Sequence, residues 1–301
     1  MKKLSLRQRE ELNCYFYLIP GVILMIMFVV VPVVYSLVMS FFKIESLGAK
    51  WEFTLFANYI QVFKTKGWLA AFGRTIFYGA WSIVMGLIFG LVLAFFVAKH
   101  KFLNGFRYLF YLPSVVSAIT MGRLWNYMFS PSESGLVNTL LMNLHFINTP
   151  INFFGIDSNL VGVILITSLY GVGGGMSLVL YSTAINNVPE SVRESAMLDG
   201  ASGLQIAVRI EIPEIMPLIV ANVILGVVGA FKSFEGMYAL APNAGATETI
   251  GVLLYKESLY SSYGYGLASA MGVVLTVIVM IIMFLYMYMP TPGRKKEAGA
   301  V

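Results

Sequence analysis

The residues best placed to do chemistry lie in one stretch, Asn187 to Pro217, which reads NVPESVRESAMLDGASGLQIAVRIEIPEIMP and carries five acids against two cations. Glu190 and Glu194 stand one helical turn apart and both can face outward, where they would present acidic groups to something in the cytoplasm. Val192, Ala196 and Met197 fall on one side of a first short helix. Leu204, Ala207, Val208 and Ile210 give a second one a broad apolar side. The chemistry available here is docking, not bond making. A nucleophile with its base is missing, and so is a metal set: Cys14 is the lone cysteine, and His100 and His145 are the two histidines. No Gly-x-x-x-x-Gly-Lys-Ser/Thr loop occurs, so phosphate cradling of the P-loop kind is excluded. The cluster Gly171, Gly173, Gly174 and Gly175 breaks the dinucleotide pattern at Met176 and follows no strand, which leaves close helix packing or a flexible bend as its role.

Local signals shape this stretch into an elbow. Asn187 three residues before Glu190, with Pro189 between them, marks a helix start. Gly200 is suited to the stop because glycine enters the left-handed region without steric cost. Ser202 and Gln205 form a second capping box, and Pro213 is expected to end the helix that follows. An amphipathic elbow lying on the inner leaflet is the competing reading, but its acidic excess opposes contact with anionic lipid.

The elements that must position such an elbow are membrane spans. Of 301 residues, 58% are hydrophobic and only 12% charged, against about 25% charged in soluble domains. Six apolar stretches follow, at Tyr15–Phe42, Thr75–Ala98, Phe106–Phe129, Leu160–Ile185, Ile215–Leu240 and Leu267–Met289, each near the roughly 20 residues that cross a bilayer. The fold class is therefore an all-α membrane protein of six transmembrane helices, read as a single domain over residues 1–301. The net charge of +5 comes from cations dispersed around the spans, which reads as a topology signal and not as nucleic-acid binding. With the N-terminus inside, inner lysines and arginines outnumber outer ones two to one, so both termini are expected to be cytoplasmic. The first external loop runs against this pattern with several cations. It holds a candidate interfacial helix around Phe53 to Phe63, where Phe56, Tyr59, Ile60 and Phe63 share helical spacing.

Within or near the spans, Arg123, Lys232 and Glu235 need partners; Lys232 and Glu235, three apart toward the outer end of the fifth span, can pair with each other or snorkel to the interface, or else form an outer gate or polar edge of the substrate path. Trp125, Asn126, Tyr127, Asn222, Glu235 and Tyr238 are candidates for a substrate path, since sugars are bound by amides, carboxylates and aromatic faces. For any single ring, helix packing competes with that role. Glu133 and Asp157, in the external loop, read as solvated surface charges, with contact to a docked binding protein as the alternative.

The order Glu194, Ser195, Ala196, then Asp199, Gly200, Ala201, then Ile210 and Pro213, resembles the EAA loop of ABC-importer permeases, with Ser195 in place of the usual first alanine. YFYLIPGVILMIMFVVVPVVYSLVMSFF is similar to the first helix, FKSFEGMYALAPNAGATETIGVLLY to the fifth helix with its external segment, and YGYGLASAMGVV to the entry of the last helix, in the carbohydrate-type group of maltose and glycerol-phosphate permeases. LYGVGGGM departs from relatives that carry a tryptophan there. The resemblance implies a non-catalytic subunit in a bacterial plasma membrane, half of a translocation path for a sugar or oligosaccharide. It implies a second homologous permease, two copies of a cytoplasmic ATPase that hold ATP and magnesium, and an extracellular solute-binding protein. It also implies that the 187–213 loop couples to the ATPase, with Glu194 meeting a basic group and Gly200 making the bend. No cofactor or metal is expected on this chain. A self-sufficient secondary transporter would need inverted repeats and a mid-membrane coupling acid; a membrane enzyme would need convergent catalytic groups.

Overall fold

A computed structural model describes residues 6–44, 50–100, 105–133, 135–171, 175–260 and 264–288. The topology cations Lys2, Lys3, Lys101 and Arg294 to Lys296, the glycines Gly173 and Gly174, and the end of the sixth span at Met289 lie outside them. Among the described residues, four helices are long and apolar enough to cross a membrane: Tyr15–Met39, Trp68–Lys99, Gly203–Lys232 and Gly264–Tyr286. Their sides are covered with exposed Leu, Ile, Val and Phe, a surface that water would not tolerate and lipid does.

The first is built from α1 (Leu6–Met25), a π-helical turn over Ile26–Val30 and α2 (Val31–Met39). Pro32 explains the turn. Its ring crowds the carbonyl four residues back and it has no amide to donate, so the helix widens just before it, and the Val31 amide reaches back five residues to Ile26. The same solution recurs at α11 (Gly203–Ile206), a π turn over Ala207–Glu211 and α12 (Ile212–Lys232), just ahead of Pro213. Here the expectation is corrected. Pro213 does not end a helix, because it sits at the first turn of α12 where its missing amide is absorbed by the widened turn, and the second arm of the elbow runs on as the fifth span.

The third and fourth apolar stretches are each divided. α5 (Phe106–Val115) and α6 (Ala118–Met128) are separated at Val116 and Ser117, with Pro113 in the last turn of the one and the Ser117 hydroxyl accepting from the Thr120 amide at the start of the other. α8 (Asp157–Gly171) and α9 (Gly175–Asn186) make up the fourth. The fifth stretch stops at Lys232, and Glu235–Leu240 is a separate helix, α13. The remaining helices are α3 (Ala57–Lys64), α4 (Trp68–Lys99), α7 (Leu136–Asn143), α10 (Glu190–Leu198), α14 (Ile250–Tyr260) and α15 (Gly264–Tyr288).

Two compact units are distinguished. One takes in Met1–Lys66 and Leu254–Val277, the other Gly67–Leu253 and Ile278–Val301. In the first, β1 (Phe42–Lys43) pairs antiparallel with β2 (Glu52–Phe53), and the Tyr265 amide donates to the Ile44 carbonyl at 2.9 Å. In the second, α4 packs against α8, α9 and α12, and α6 against α13. Small residues let these backbones meet, as is usual between helices in lipid. A β-carbon on Gly122 would stand 2.6 Å from the Gly236 carbonyl oxygen, and one on Gly79 would stand 2.6 Å from the β-carbon of Ala230. Gly175 lies against the Phe110 carbonyl, so the described end of the glycine cluster serves close packing. One apolar cluster gathers Phe129, Leu160, Ile164 and Leu240, and a second gathers Ala94, Leu178, Tyr181 and Ile219.

Candidate functional site

Both candidate regions, an elbow and a cavity, belong to the second unit. α10 begins at Glu190 with Pro189 as its cap and no side-chain cap bond, so Asn187 does not cap it. The pyrrolidine ring keeps the preceding Val188 out of helical geometry, which fixes the start after the proline. The other end closes as expected. Gly200 has φ +84°, the Ala201 amide donates to Ala196 O at 2.9 Å and the Gly200 amide to Met197 O at 3.0 Å, a Schellman-type stop. Ser202 and Gln205 form a complete capping box, and α11 leaves at once in a new direction.

Glu194, Ser195, Asp199 and Gly200 are exposed along this bend, with Ala196 and Ala201 half-buried beside them. The Ser195 hydroxyl is turned back onto the Ser191 carbonyl at 2.8 Å, so it makes no outward feature. Pro213 lies further along, on the continuous α11–α12 rod. Around the acids stand exposed apolar knobs: Met197 is 56% exposed, Leu204 75% and Leu198, not singled out in the sequence, 89%. Ile206 and Ala207 turn inward instead, which splits the second arm's apolar residues between two faces.

An ion pair invisible in the sequence holds the elbow in place. Arg193 Nε donates to Glu211 Oε1 at 2.7 Å, and its Nη2 donates to the Ile185 carbonyl. Glu211 is 4% exposed. One guanidinium thus joins α10, the end of α9 and the foot of α12. Its signal in the sequence is only an acid in an otherwise apolar turn.

Elsewhere in the same unit, α4, α5, α6, α8, α9, α12 and α13 line a partly open cavity of about 740 Å³. Trp81 and Trp125 present aromatic surface to it, Ser82, Ser114, Thr167 and Ser168 present hydroxyls, and Lys232 and Glu235 are its charged groups. Of the expected path residues, Trp125, Asn222 and Glu235 line it. Asn126 instead donates to Leu240 O at 2.7 Å, Tyr127 is 65% exposed, and Tyr238 packs its ring 5.6 Å from Phe234. Helical phase accounts for the first two, since each residue after Trp125 turns about 100° further from the cavity. Asn222 Nδ2 donates to Ser177 Oγ and Tyr181 Oη, both at 2.8 Å, tying α12 to α9 on the cavity wall. Trp81, absent from the sequence reading, is fixed by its Nε1 bond to Leu165 O at 3.2 Å.

Lys232 and Glu235 do not form an ion pair. The helix breaks at Ser233 and Phe234, where the Ser233 carbonyl accepts from the Thr249 hydroxyl at 2.9 Å, so the two charges no longer share one helical face. Arg123 is exposed on α6.

Residues 86–291 match the family described as binding-protein-dependent transport system inner membrane component. The chain belongs to that family. It is accordingly a non-catalytic permease component of the inner membrane. It is 28% identical over 250 residues to the probable ABC transporter permease protein YurN of Bacillus subtilis, covering 81% of this chain and 84% of that one. It is 26% identical over 261 residues to the arabinooligosaccharides transport system permease protein AraP of the same organism, covering 84% and 81%. The trehalose/maltose transport system permease protein MalF of Thermococcus litoralis is 25% identical over 268 residues, covering 88% and 89%. Among solved structures, the fold matches a chain of a bacterial alginate ABC transporter in complex with an alginate pentasaccharide-bound periplasmic protein, with a TM-score of 0.80 at 21% identity over 95% of this chain and 96% of that one.

In this permease residues 241–249 are tied to the rest of the second unit by hydrogen bonds. Tyr78 Oη donates to Ala246 O at 2.9 Å, Thr75 Oγ1 accepts from the Ile250 amide at 2.9 Å, and Arg74 Nε donates to Glu248 O at 3.1 Å. Asp157 Oδ1 accepts from the Ala246 amide at 3.3 Å, so this acid fastens the segment and is more than a solvated charge. Glu133 remains exposed.

Proposed function

We propose that this chain is one of two homologous permease subunits of an ATP-driven ABC importer, and that it carries a sugar or oligosaccharide by alternating access. The observation behind this reading is a single rod. The arm that leaves the acidic, apolar-knobbed elbow at Gly203 continues without a break to Lys232 and supplies a wall of the cavity through Asn222. A push on the elbow is delivered directly to the cavity, and Arg193 keeps α10 moving with the foot of that rod. The six crossings of the reading count the divided pairs α5–α6 and α8–α9 as the third and fourth, with both termini in the cytoplasm of a bacterial cell.

The engine is a separate protein. Two copies of a cytoplasmic ATPase hold ATP and magnesium, each receiving the elbow of one permease, with Glu194 against a basic group and Met197, Leu198 and Leu204 in an apolar cleft. A hydrogen bond to a charged group contributes about 1.5–3 kcal/mol, enough to transmit closure when water is excluded. An extracellular solute-binding protein delivers the cargo. The carbohydrate class is supported by the curated relatives, named for arabinooligosaccharides and for trehalose and maltose, and by two tryptophan faces among hydroxyls in the cavity. The test is reconstitution in lipid with the ATPase, the second permease and the binding protein. Glu194→Lys and Gly200→Arg are expected to abolish uptake and binding-protein-stimulated ATP hydrolysis while the chain stays in the membrane at normal level. Normal coupling in both variants refutes the assignment.

A further inference from the structure

Helix α3 is amphipathic in the sense opposite to that of a helix on a water-bathed loop. Its inner side is held by polar bonds: Asn58, 3% exposed, donates from Nδ2 to the carbonyls of Ser40 and Phe42, both at 2.9 Å, and Tyr59 Oη shares a 2.7 Å hydrogen bond with Ser40 Oγ. Gly266, at the start of α15, presses on the same Phe42 carbonyl. These bonds fix the helix's rotation, and what they leave facing out is an apolar stripe. Phe56, Ile60 and Phe63 are 62%, 56% and 62% exposed, and Phe53 extends the stripe at 62%.

Two features say what covers it. The stripe is continuous with a lipid-length helix: the first span ends at Met39 with none of its apolar window buried in this chain, and the ring of Tyr35 on that span lies 5.7 Å from Trp51, which lies 5.5 Å from Phe42, which lies 5.2 Å from Phe53. The stripe also has a cationic fringe, with Lys50, Lys64 and Lys66 exposed around it. Aromatic rings beside lysines are the composition of the headgroup zone, where apolar stems and rings lie among acyl chains and ammonium groups reach the phosphates. A protein partner would select against these lysines, which are depleted from protein interfaces.

We infer that residues 50–66 form an interfacial foot, with α3 lying in the headgroup layer of the leaflet reached by the end of α2, Phe53, Phe56, Ile60 and Phe63 among the acyl chains, and Lys64 and Lys66 at the lipid phosphates. The foot fixes the depth of the first span. It also gives a use to the cations that crowd a loop expected on the less basic side of the membrane: they serve the lipid surface and do not direct topology.

The test uses the full chain with its accompanying subunits in nanodiscs of phosphatidylethanolamine and phosphatidylglycerol. Nitroxide labels are placed at Ile60→Cys or Phe63→Cys in a Cys14→Ser background. At both sites, power saturation is expected to give collision with dissolved oxygen severalfold above that with a water-soluble nickel chelate. Higher nickel collision means that water covers the stripe, low collision with both means that protein does, and either overturns the inference. A second measurement needs no substitution in α3: a phospholipid with a diazirine in its acyl chain is photolysed with the unlabelled chain and the adducts are mapped. Adducts on the peptide holding Phe56 to Phe63 are expected; adducts on the first span with none there refute the foot.

Discussion

Replacing Arg193 by methionine strands the Glu211 carboxylate, whose side chain is 5% exposed and whose cationic partner lies at 2.7 Å. Breaking a fully buried pair from one side costs about 3–5 kcal/mol, because the remaining charge stays desolvated. Here the guanidinium side is 23% exposed, so water admitted through the vacated site lowers the cost to about 2–3 kcal/mol. Glu211→Met is milder, about 1 kcal/mol, since the arginine left behind is partly hydrated and keeps its bond to the Ile185 carbonyl. The double variant replaces the pair with two packed thioethers and is expected to lose no more than about 1 kcal/mol, because an apolar pair of similar volume needs no desolvation of charge. The singles therefore fail to add, by about 2 kcal/mol. Thermal unfolding of the purified chain in detergent reads this as an order: wild type highest, the double variant and Glu211→Met at or just below it, Arg193→Met lowest. A double variant that melts at the sum of the single losses, or an Arg193→Met chain that melts with wild type, refutes the claim that a desolvated ion pair holds the elbow to α12.

Gly122→Ala is expected to lower the melting temperature by several degrees, because its new β-carbon would meet the Gly236 carbonyl oxygen at 2.6 Å and backbone cannot give way as a side chain can. Gly162→Ala, in α8 with nothing within 4 Å of the same atom, is expected to leave it unchanged or raised, by up to about 1 kcal/mol of helix propensity; equal effects at the two sites would show that α6 and α13 do not pack as described. In the cavity, Trp81→Ala and Trp125→Ala each remove an aromatic face worth about 0.5–1.5 kcal/mol, a roughly two- to twelvefold rise in the half-saturating concentration for uptake. Unaltered uptake kinetics in both variants would remove the cavity from the transport path.

The first and last spans were legible because bilayer crossing depends on hydropathy summed over about 20 neighbouring residues, a local property. Tyr15–Met39 and Gly264–Tyr286 differ from their expected bounds by only a few residues. The elbow's bend was legible for the same reason: the left-handed glycine at Gly200 and the reciprocal box of Ser202 with Gln205 are satisfied within a few residues of chain. The lone Cys14 also excluded an intrachain disulfide, and the missing Gly-x-x-x-x-Gly-Lys-Ser/Thr motif excluded a P-loop. Tertiary structure decided the rest. Whether Pro213 would stop a helix depended on a widened turn ahead of it, and whether Lys232 and Glu235 would share a face depended on Thr249 drawing off the Ser233 carbonyl. Arg193 and Glu211 are separated by the whole elbow, and Asn222 meets Ser177 and Tyr181 from another helix. Such partners are chosen by the packing of distant segments, which no window of sequence contains; the local code sets where each helix runs, and only their assembly settles which polar group finds which.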